Sequence, residues 1–160
     1  MNALSLVSLV RWRINLFYWF AAPGARVTRI SPDWREVDLQ LRLNWRNRNY
    51  VGTIFGGTLY SALDPIYMLM LIRNLGSDYV VWDKAATITF KKPGRGTLYA
   101  RFRLTQEQLH EIRSALEWQR SIDRILTVDL TDAEGTVHVT AEKVIYLRKK
   151  QAAAGSDASS

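Results

Sequence analysis

Residues 49–72 read NYVGTIFGGTLYSALDPIYMLMLI, a long apolar segment opened by a pair of glycines. Within it, apolar side chains recur at the three- and four-residue spacing of one helix face: Leu59, Leu63, Ile66 and Met70. After Asp64 the other faces are apolar too, and a helix that is apolar all round belongs in a core. A helix over residues 55–74 would span about 30 Å, the width of a small domain. We therefore expect the rest of the chain to pack around this helix.

Asp64 is the only carboxylate of this segment, and its position leaves two alternatives open. A carboxylate inside an apolar helix is costly unless it has a partner or a chemical task. However, Asp followed by Pro65 is also typical of a helix start, in which case residues 65–75 alone form the helix and Asp64 caps it. In the longer helix, Pro65 leaves the carbonyl of Ser61 without its donor and bends the helix near the acid.

The composition indicates a single folded domain with few of the usual catalytic groups. Among 160 residues, 48% are hydrophobic and six are Trp, which excludes a disordered protein. The absence of Cys rules out disulfides and Cys-based metal sites, and two His leave metal sites and Ser-His triads poorly supplied. We therefore expect no metal, and an enzyme built from this chain would use carboxylates, backbone amides and water.

The net charge of +7 suits anionic partners, but it does not indicate nucleic-acid binding. The 22 Lys and Arg residues are scattered along the chain, and no recognition motif for nucleic acid occurs. His110 and His138 have no companions suited to metal binding or nucleophilic catalysis, so we assign both to structure or surface.

The N-terminal segment, residues 3–22, is strongly apolar and ends at a Pro-Gly pair. Arg11 and Arg13 lie in its middle, where charge is expensive in lipid, which argues against a membrane span. The positive charge that precedes the apolar part of a signal peptide is missing, so we expect a cytoplasmic protein. We predict that residues 1–24 form a helix packed on the body of the protein or on a partner subunit. The less favoured alternative is peripheral membrane contact through aromatic side chains: Trp12, Phe17, Trp19 and Phe20.

Six segments have the composition and, for the most part, the alternation of half-buried strands: 26–31, 36–43, 79–92, 97–104, 122–131 and 136–148. On the last of them the apolar side chains share one face: Val137, Val139, Ala141, Ile145 and Leu147. Thr105 and Gln108 have the spacing of a capping box and begin an additional helix between the later strands. We predict one α+β domain over residues 25–148, a largely antiparallel sheet of about six strands around a long central helix, and a disordered tail over residues 149–160.

This layout, together with the spacing of Asn49, Phe55-Gly56-Gly57 and Asp64, resembles the hot-dog fold acyl-CoA thioesterases of the phenylacetate-pathway type. In that branch an Asn precedes a His-Gly-Gly that opens the central helix, and an Asp follows on the helix. Here Phe55 stands at the His position, and Asp83 stands at or beside a later hydroxyl that orients water in some members. The segment after the central helix and the additional helix are more similar to an uncharacterised subgroup of the superfamily.

The resemblance implies hydrolysis of acyl-CoA-type thioesters. The amides of Gly56 and Gly57, at a helix N-terminus, would stabilise the oxyanion, and Asn49 would donate a second hydrogen bond or hold the loop. Asp64, desolvated in an apolar setting, would activate water or attack the thioester directly. Such sites form between two subunits, with Asp64 of one facing the glycine loop of the other, which implies a homodimer, or a tetramer as the larger alternative. No cofactor is implied beyond coenzyme A as part of the substrate.

Other residues are candidates for substrate binding. Phe55 lies in the glycine loop, and Asp83 with Lys84 could form an ion pair at the edge of the site; the alternative is a solvated strand end. A basic cluster around the next turn could contact the phosphates of coenzyme A, or could simply keep a hairpin soluble: Lys91, Lys92 and Arg95. Because Phe55 replaces the family's His, a non-catalytic protein that binds acyl chains or coenzyme A is the second hypothesis.

Overall fold

The chain folds into an antiparallel sheet with a bent helix packed against it. The computed structural model describes residues 3–150, except for the side chains of residues 3–5 and 20. The elements follow one another as α1 (Ala3–Ala21), β1 (Ala25–Ile30), β2 (Glu36–Arg42), α2 (Gly56–Leu63), α3 (Ile66–Leu75), β3 (Tyr79–Phe90), β4 (Thr97–Arg103), α4 (Gln106–Trp118), β5 (Ile122–Thr131) and β6 (Val137–Lys149).

The six strands lie in the order β1-β2-β4-β5-β6-β3, and all neighbours are antiparallel. The predicted α+β architecture, with an N-terminal helix and an additional helix between later strands, is therefore confirmed. Of the predicted tail, Lys149 is the last residue of β6, and residues 151–160 lie outside the described part of the chain.

The central helix is long and bent, as the first of the two alternatives predicted. α2 and α3 are joined by Asp64 and Pro65, which both have right-handed helical backbone angles. The N–H of Asp64 donates to the carbonyl of Tyr60 at 3.0 Å, and the N–H of Leu69 donates to the carbonyl of Pro65 at 3.0 Å. Asp64 is therefore a helical residue at a proline bend and does not cap a shorter helix.

The central helix lies across the middle strands of the sheet. The ring of Tyr67, on α3, meets the ring of Phe102, on β4, edge to face with a centroid distance of 5.0 Å. The Tyr67 hydroxyl donates to the carbonyl of Thr127, on β5, at 2.9 Å. Such contacts exclude water from the helix–sheet interface and fix the helix over β4 and β5.

α1 packs on the body of the protein, as expected. The Asn15 side chain accepts from the N–H of Val27 at 2.7 Å and donates to its carbonyl at 3.3 Å, which ties α1 to β1. Tyr18 is fully buried, and its hydroxyl donates to the carbonyl of Ala62 on α2 at 2.9 Å. Among the described residues, no helix has the combined length and apolarity that a membrane span requires.

Candidate active site

The site is built around a buried lysine on β6. Alternate side chains of this strand face the core, and Lys143 takes one of these positions between Ala141 and Ile145. Its side chain has an exposed fraction of 0%. A buried ammonium is costly unless acceptors surround it, so its neighbours are functionally informative. Sequence reasoning missed this residue, although position 143 is the gap in the predicted apolar face of the strand.

Three side chains surround the Lys143 ammonium. Its Nζ donates a hydrogen bond to Asp64 Oδ1 and another to the hydroxyl of Tyr60 at 3.3 Å. Asp83 Oδ1, on β3, lies 3.3 Å from Nζ, at ion-pair distance, and has no hydrogen-bond partner among the described residues. The central helix and two neighbouring strands therefore converge on a single positive charge.

The environment of Asp64 differs from the apolar setting that its sequence neighbours suggested. Its side chain is 42% exposed, and the buried ammonium of Lys143 holds one of its oxygens. The difference arises because the lysine comes from a strand 79 positions further along the chain, where helix periodicity gives no information. Asp64 is thus a solvent-accessible carboxylate in a fixed orientation.

Burial and charge shift the pKa values around Lys143. Burial alone would lower the pKa of Lys143, but the hydrogen bond to Asp64 and the charges of Asp83 and Asp64 outweigh it and raise that pKa. Burial raises the pKa of Asp83, against the opposing charge of Lys143. Burial, followed by the hydrogen bond to Asp64, also raises the pKa of Tyr60. The lysine is consequently charged and the tyrosine neutral at physiological pH.

Asp83 and Lys84 do not pair with each other, so the predicted ion pair between them is wrong. The register between β3 and β6 shifts between Asp83 and Ala85, which makes Lys84 the extra residue of a bulge. Asp83 faces Lys143, whereas Lys84 Nζ lies 2.6 Å from Asp123 Oδ2 on the exposed side. The side chains of consecutive strand residues point to opposite faces of the sheet, so the fact that Asp83 and Lys84 are consecutive does not bring their side chains together.

The glycine pair begins the central helix, as predicted. Phe55 is the N-cap residue of α2 and makes no side-chain hydrogen bond to the helix. Among the described residues, no acceptor contacts the N–H groups of Gly56 and Gly57, which point out of the helix N-terminus. A Cβ atom on Gly57 would lie 2.4 Å from the Phe55 ring, and one on Gly56 would lie 3.1 Å from the Phe90 ring. The two glycines therefore leave room for aromatic rings beside the exposed amides.

Asn49 holds the loop that precedes the glycines. Its Oδ1 accepts from the N–H groups of Val51 at 3.1 Å and Thr53 at 2.9 Å, and its Nδ2 donates to Thr53 Oγ1 at 2.9 Å. Asn47, which the sequence did not single out, is buried and donates to the carbonyls of Pro23 and Arg42 at 2.6 and 2.8 Å. Asn49 therefore holds the loop, and a hydrogen bond from it to the substrate stays a prediction.

A cavity of about 330 Å³ gathers several of the predicted residues. It is lined by the glycine loop and the turn after β3, including Asn49, Gly56, Phe90, Lys91 and Lys92. Asp64, Asp83 and Arg95 do not line it, and the Arg95 side chain is exposed. Larger clefts of about 770 and 780 Å³ contain none of the predicted residues.

The candidate residues therefore fall into two separate groups, which are called half-sites below. One is the glycine loop with its cavity, and the other is Asp64 with Lys143. Asp64 lies eight positions after Gly56 along the helix, a rise of about 12 Å. That distance is too long for both to contact one thioester group within a single chain.

Solved structures with the same fold include several that are described as thioesterases. A protein of unknown function from Pseudomonas aeruginosa, described as a probable thioesterase, matches 89% of this chain and 95% of its own with 20% identity and a TM-score of 0.76. A thioesterase from Haemophilus influenzae matches 91% and 94% with 11% identity and a TM-score of 0.62. A hypothetical thioesterase from Streptococcus pneumoniae, solved with coenzyme A, matches 88% and 98% with 19% identity and a TM-score of 0.60.

At these identities the likeness establishes the fold, and the predicted hot-dog architecture is confirmed. No curated protein matches the sequence. Residues 9–147, from within α1 to within β6, match a family described as "Domain of unknown function (DUF4442)". This chain is accordingly a member of that family, and it has the hot-dog fold.

Proposed function

We propose that this protein hydrolyses acyl-CoA-type thioesters in sites formed between two copies of the chain. The observation that carries the proposal is the orientation of Asp64, a 42% exposed carboxylate held by the fully buried Lys143. The fold, which other structures described as thioesterases share, supports the same class of reaction.

In the proposed reaction, Asp64 acts on water and the glycine loop acts on the thioester. The water oxygen bonds to the carbonyl carbon while its proton passes to Asp64 Oδ2, because Oδ1 is held by Lys143. The N–H groups of Gly56 and Gly57 stabilise the oxyanion. When the carbonyl re-forms, the C–S bond breaks and the thiolate takes the proton from Asp64, which releases a carboxylic acid and coenzyme A.

Direct attack by Asp64 is the alternative first step. It would form a mixed anhydride and release the thiolate; water would then cleave the anhydride, and the proton that this water loses would pass to the thiolate. The two routes differ in where the oxygen of water goes. After many turnovers in ¹⁸O-water, label in the Asp64 side chain would establish an anhydride that water cleaves at the enzyme carbonyl, because activated water leaves both Asp64 oxygens unlabelled.

Lys143 and Asp83 support this chemistry without contacting the substrate. The Lys143 ammonium fixes the rotamer of Asp64, and Asp83 supplies the second negative charge that keeps a buried ammonium stable. Asn49 holds the glycine loop through its three hydrogen bonds. In this proposal they are positioning residues.

The cavity beside the glycine loop is the proposed binding site for the nucleotide part of coenzyme A. Lys91 and Lys92 line it and are exposed, so they can contact phosphates without losing an internal partner. Phe55 is 58% exposed at the mouth of the loop and would contact the acyl or pantetheine chain. A similar fold from Streptococcus pneumoniae is solved with coenzyme A. Since such thioesters are intracellular, the proposal also places the protein in the cytoplasm.

A homodimer would bring the two half-sites together. β3 is an edge strand, bonded only to β6 within the described chain, and its unpaired edge can pair with a second copy. A two-fold axis would then set Asp64 of each chain opposite the glycine loop of the other. The proposal therefore predicts that the protein has the molecular mass of a dimer in solution.

Hydrolysis of a panel of acyl-CoA chains, measured by thiol release, tests the proposal. We expect Asp64→Asn to lower kcat by at least about 100-fold with little change in melting temperature. The control is Asp123→Asn, which removes an exposed carboxylate paired to Lys84. Equal rates for wild type and Asp64→Asn would refute the assignment.

Mixed dimers test whether the site crosses the subunit boundary. Asp64→Asn and Gly56→Val each inactivate a different half-site. Random mixing of the two variants gives half heterodimers, each with one intact site of two, so about a quarter of the wild-type activity should return. If no activity returns although heterodimers form, both residues act within one chain.

Binding without turnover is the second candidate function. The observation that favours it is the Phe55 ring, which lies across Gly57. In the thioesterase branch that the sequence resembles, the position of Phe55 is a His. Saturable binding of acyl-CoA, detected by calorimetry, with no thiol release over the whole panel would support it.

A further inference from the structure

α1 has an apolar face that no described residue covers. Val7, Val10, Ile14 and Tyr18 point inward and pack on the core. On the opposite side, large apolar side chains recur at spacings of three, four and three: Leu9 (48% exposed), Trp12 (63%), Leu16 (49%) and Trp19 (62%). These four residues are called the outer face of α1. Their exposure contributes nothing to the stability of the described fold, so the face suits a partner.

The chain segments that form the outer face and its cavity are rich in Arg and contain no Asp or Glu. Residues 1–32 and 39–63 include seven Arg and not one Asp or Glu. Of these, Arg29 pairs with Glu36 and Asp38 across the sheet. Arg26 and Arg46 have no carboxylate within salt-bridge distance among the described residues. Their charges are therefore available to an anionic partner.

A cavity of about 420 Å³ at the foot of α1 joins these arginines to the outer face. It is lined by two Trp and two Arg, together with the Pro-Gly turn after the helix: Trp19, Trp45, Arg26 and Arg46. The Arg46 guanidinium lies 4.8 Å from the centre of the Trp19 ring, and Trp45 is 86% exposed. Trp19 belongs both to the outer face and to the cavity wall, so the apolar surface and the cationic cavity are continuous.

We propose that the outer face of α1 and this cavity bind the surface of a bilayer that contains anionic phospholipids. Leu9 and Leu16 enter the boundary between head groups and acyl chains, and the Trp rings lie at the level of the head groups. Arg26 and Arg46 bind lipid phosphates, for which the planar guanidinium is well suited. The helix lies on the membrane and does not cross it, in agreement with Arg11 and Arg13 within it.

Charge decides between a membrane and a second copy of the chain as the partner. In a two-fold dimer through α1, each acid-free arginine surface would face its own copy, and like charges would repel. An anionic bilayer complements the same surface. The two roles considered for α1, packing on the protein and contact with a membrane, are thus compatible because they use opposite faces of one helix.

Flotation of the full-length protein with lipid vesicles tests the proposal. We expect binding to vesicles of phosphatidylcholine with phosphatidylglycerol, weaker binding as salt rises, and no flotation with phosphatidylcholine alone. Trp12→Ser with Leu16→Ser should weaken binding at least about tenfold. Arg26→Gln and Arg46→Gln should each weaken it about fivefold.

The matched control is Arg120→Gln with Arg124→Gln, which removes two positive charges elsewhere and should leave binding unchanged. Circular dichroism and the melting temperature should be unchanged in every variant, since these side chains are exposed, apart from Arg124, which is half-buried and has no ion pair among the described residues. Equal binding to neutral vesicles, no binding to either, or an equal loss in the control would overturn the proposal. So would self-association in solution that disappears in Trp12→Ser/Leu16→Ser, because a second copy would then cover the outer face.

Discussion

Lys143, in the middle of β6, donates a hydrogen bond to Asp64 at the bend of the central helix. The lysine side chain is 0% exposed and the aspartate side chain is 42% exposed, so the fixed partner is the lysine and the accessible partner is the acid. Helix and sheet are thereby joined at the point where the helix axis changes direction. The bond gives Asp64 a defined orientation that does not depend on a histidine.

Removal of the Lys143 charge should destabilise the protein. Lys143→Met keeps the length of the side chain but leaves Asp83, whose side chain is 18% exposed, without a counter-ion. We expect a loss of about 1–3 kcal/mol in the free energy of unfolding, measured by urea denaturation. The same substitution at Lys84, whose pair with Asp123 is exposed, should cost less than about 1 kcal/mol. Equal losses at both positions would contradict the assignment.

The stability of the protein at alkaline pH should depend on Lys143. Although burial opposes it, the hydrogen bond to Asp64 and the charges of Asp83 and Asp64 raise the pKa of Lys143 above 10.5, its ordinary value. The folded state therefore holds this proton more tightly than the unfolded state does. The resulting stabilisation is fully present below pH 10.5 and is lost as pH rises through the folded pKa.

Urea denaturation at a series of pH values above about 9 measures this effect. The free energy of unfolding should fall more steeply for wild type than for Lys143→Met. Both proteins are measured with Tyr60→Phe, because Lys143 contacts Tyr60 and acts on its pKa. Tyr18 and Tyr67, whose pKa values burial also raises, are present in both proteins, so their contribution cancels in the comparison. Parallel curves would show that Lys143 is not held by its carboxylate partners.

Substitutions at Gly57 and Phe55 should have coupled effects on stability, because the Phe55 ring fills the space beside Gly57. Gly57→Ala places a Cβ 2.4 Å from the Phe55 ring, which must swing away. In a Phe55→Ala background the same change meets no ring and should stabilise the helix by up to about 1 kcal/mol. A double-mutant cycle of thermal or urea denaturation measures the coupling. Additive effects would mean that the ring does not occupy this position.

The two lysines that line the glycine-loop cavity should affect the hydrolysis of coenzyme A thioesters but not the hydrolysis of thioesters without phosphates. Lys91→Gln with Lys92→Gln should raise KM about tenfold, equivalent to about 1.4 kcal/mol, and leave kcat unchanged. A short thioester that lacks phosphates should be hydrolysed at the wild-type rate. Arg95→Gln is the control, because this residue lies outside the cavity lining. A similar loss with the phosphate-free substrate would assign the lysines to another role.

The elements of the fold were predictable because each leaves a local pattern in the sequence. Apolar spacing identified the central helix, alternation and turn residues identified six strands, and the capping box of Thr105 and Gln108 forms as expected. The bend at Pro65 also follows from local chemistry, since proline lacks the N–H that the helix would use. Asn49, Gly56 and Lys91 line one cavity, but their roles stay predictions.

By itself, the sequence determined which segments form helix and strand, and that a lone acid lies in the central helix. Only the tertiary structure decided what that acid contacts. Asp64 pairs with Lys143 because the register of β6 beneath the helix brings together residues 79 positions apart, and Asp83 joins them because β3 pairs with β6. Such contacts depend on sheet order and register, which arise from packing of the whole chain and leave no periodic signal at either residue. The only sign of Lys143 in the sequence was a charged residue at a position of β6 where the alternation predicts an apolar one.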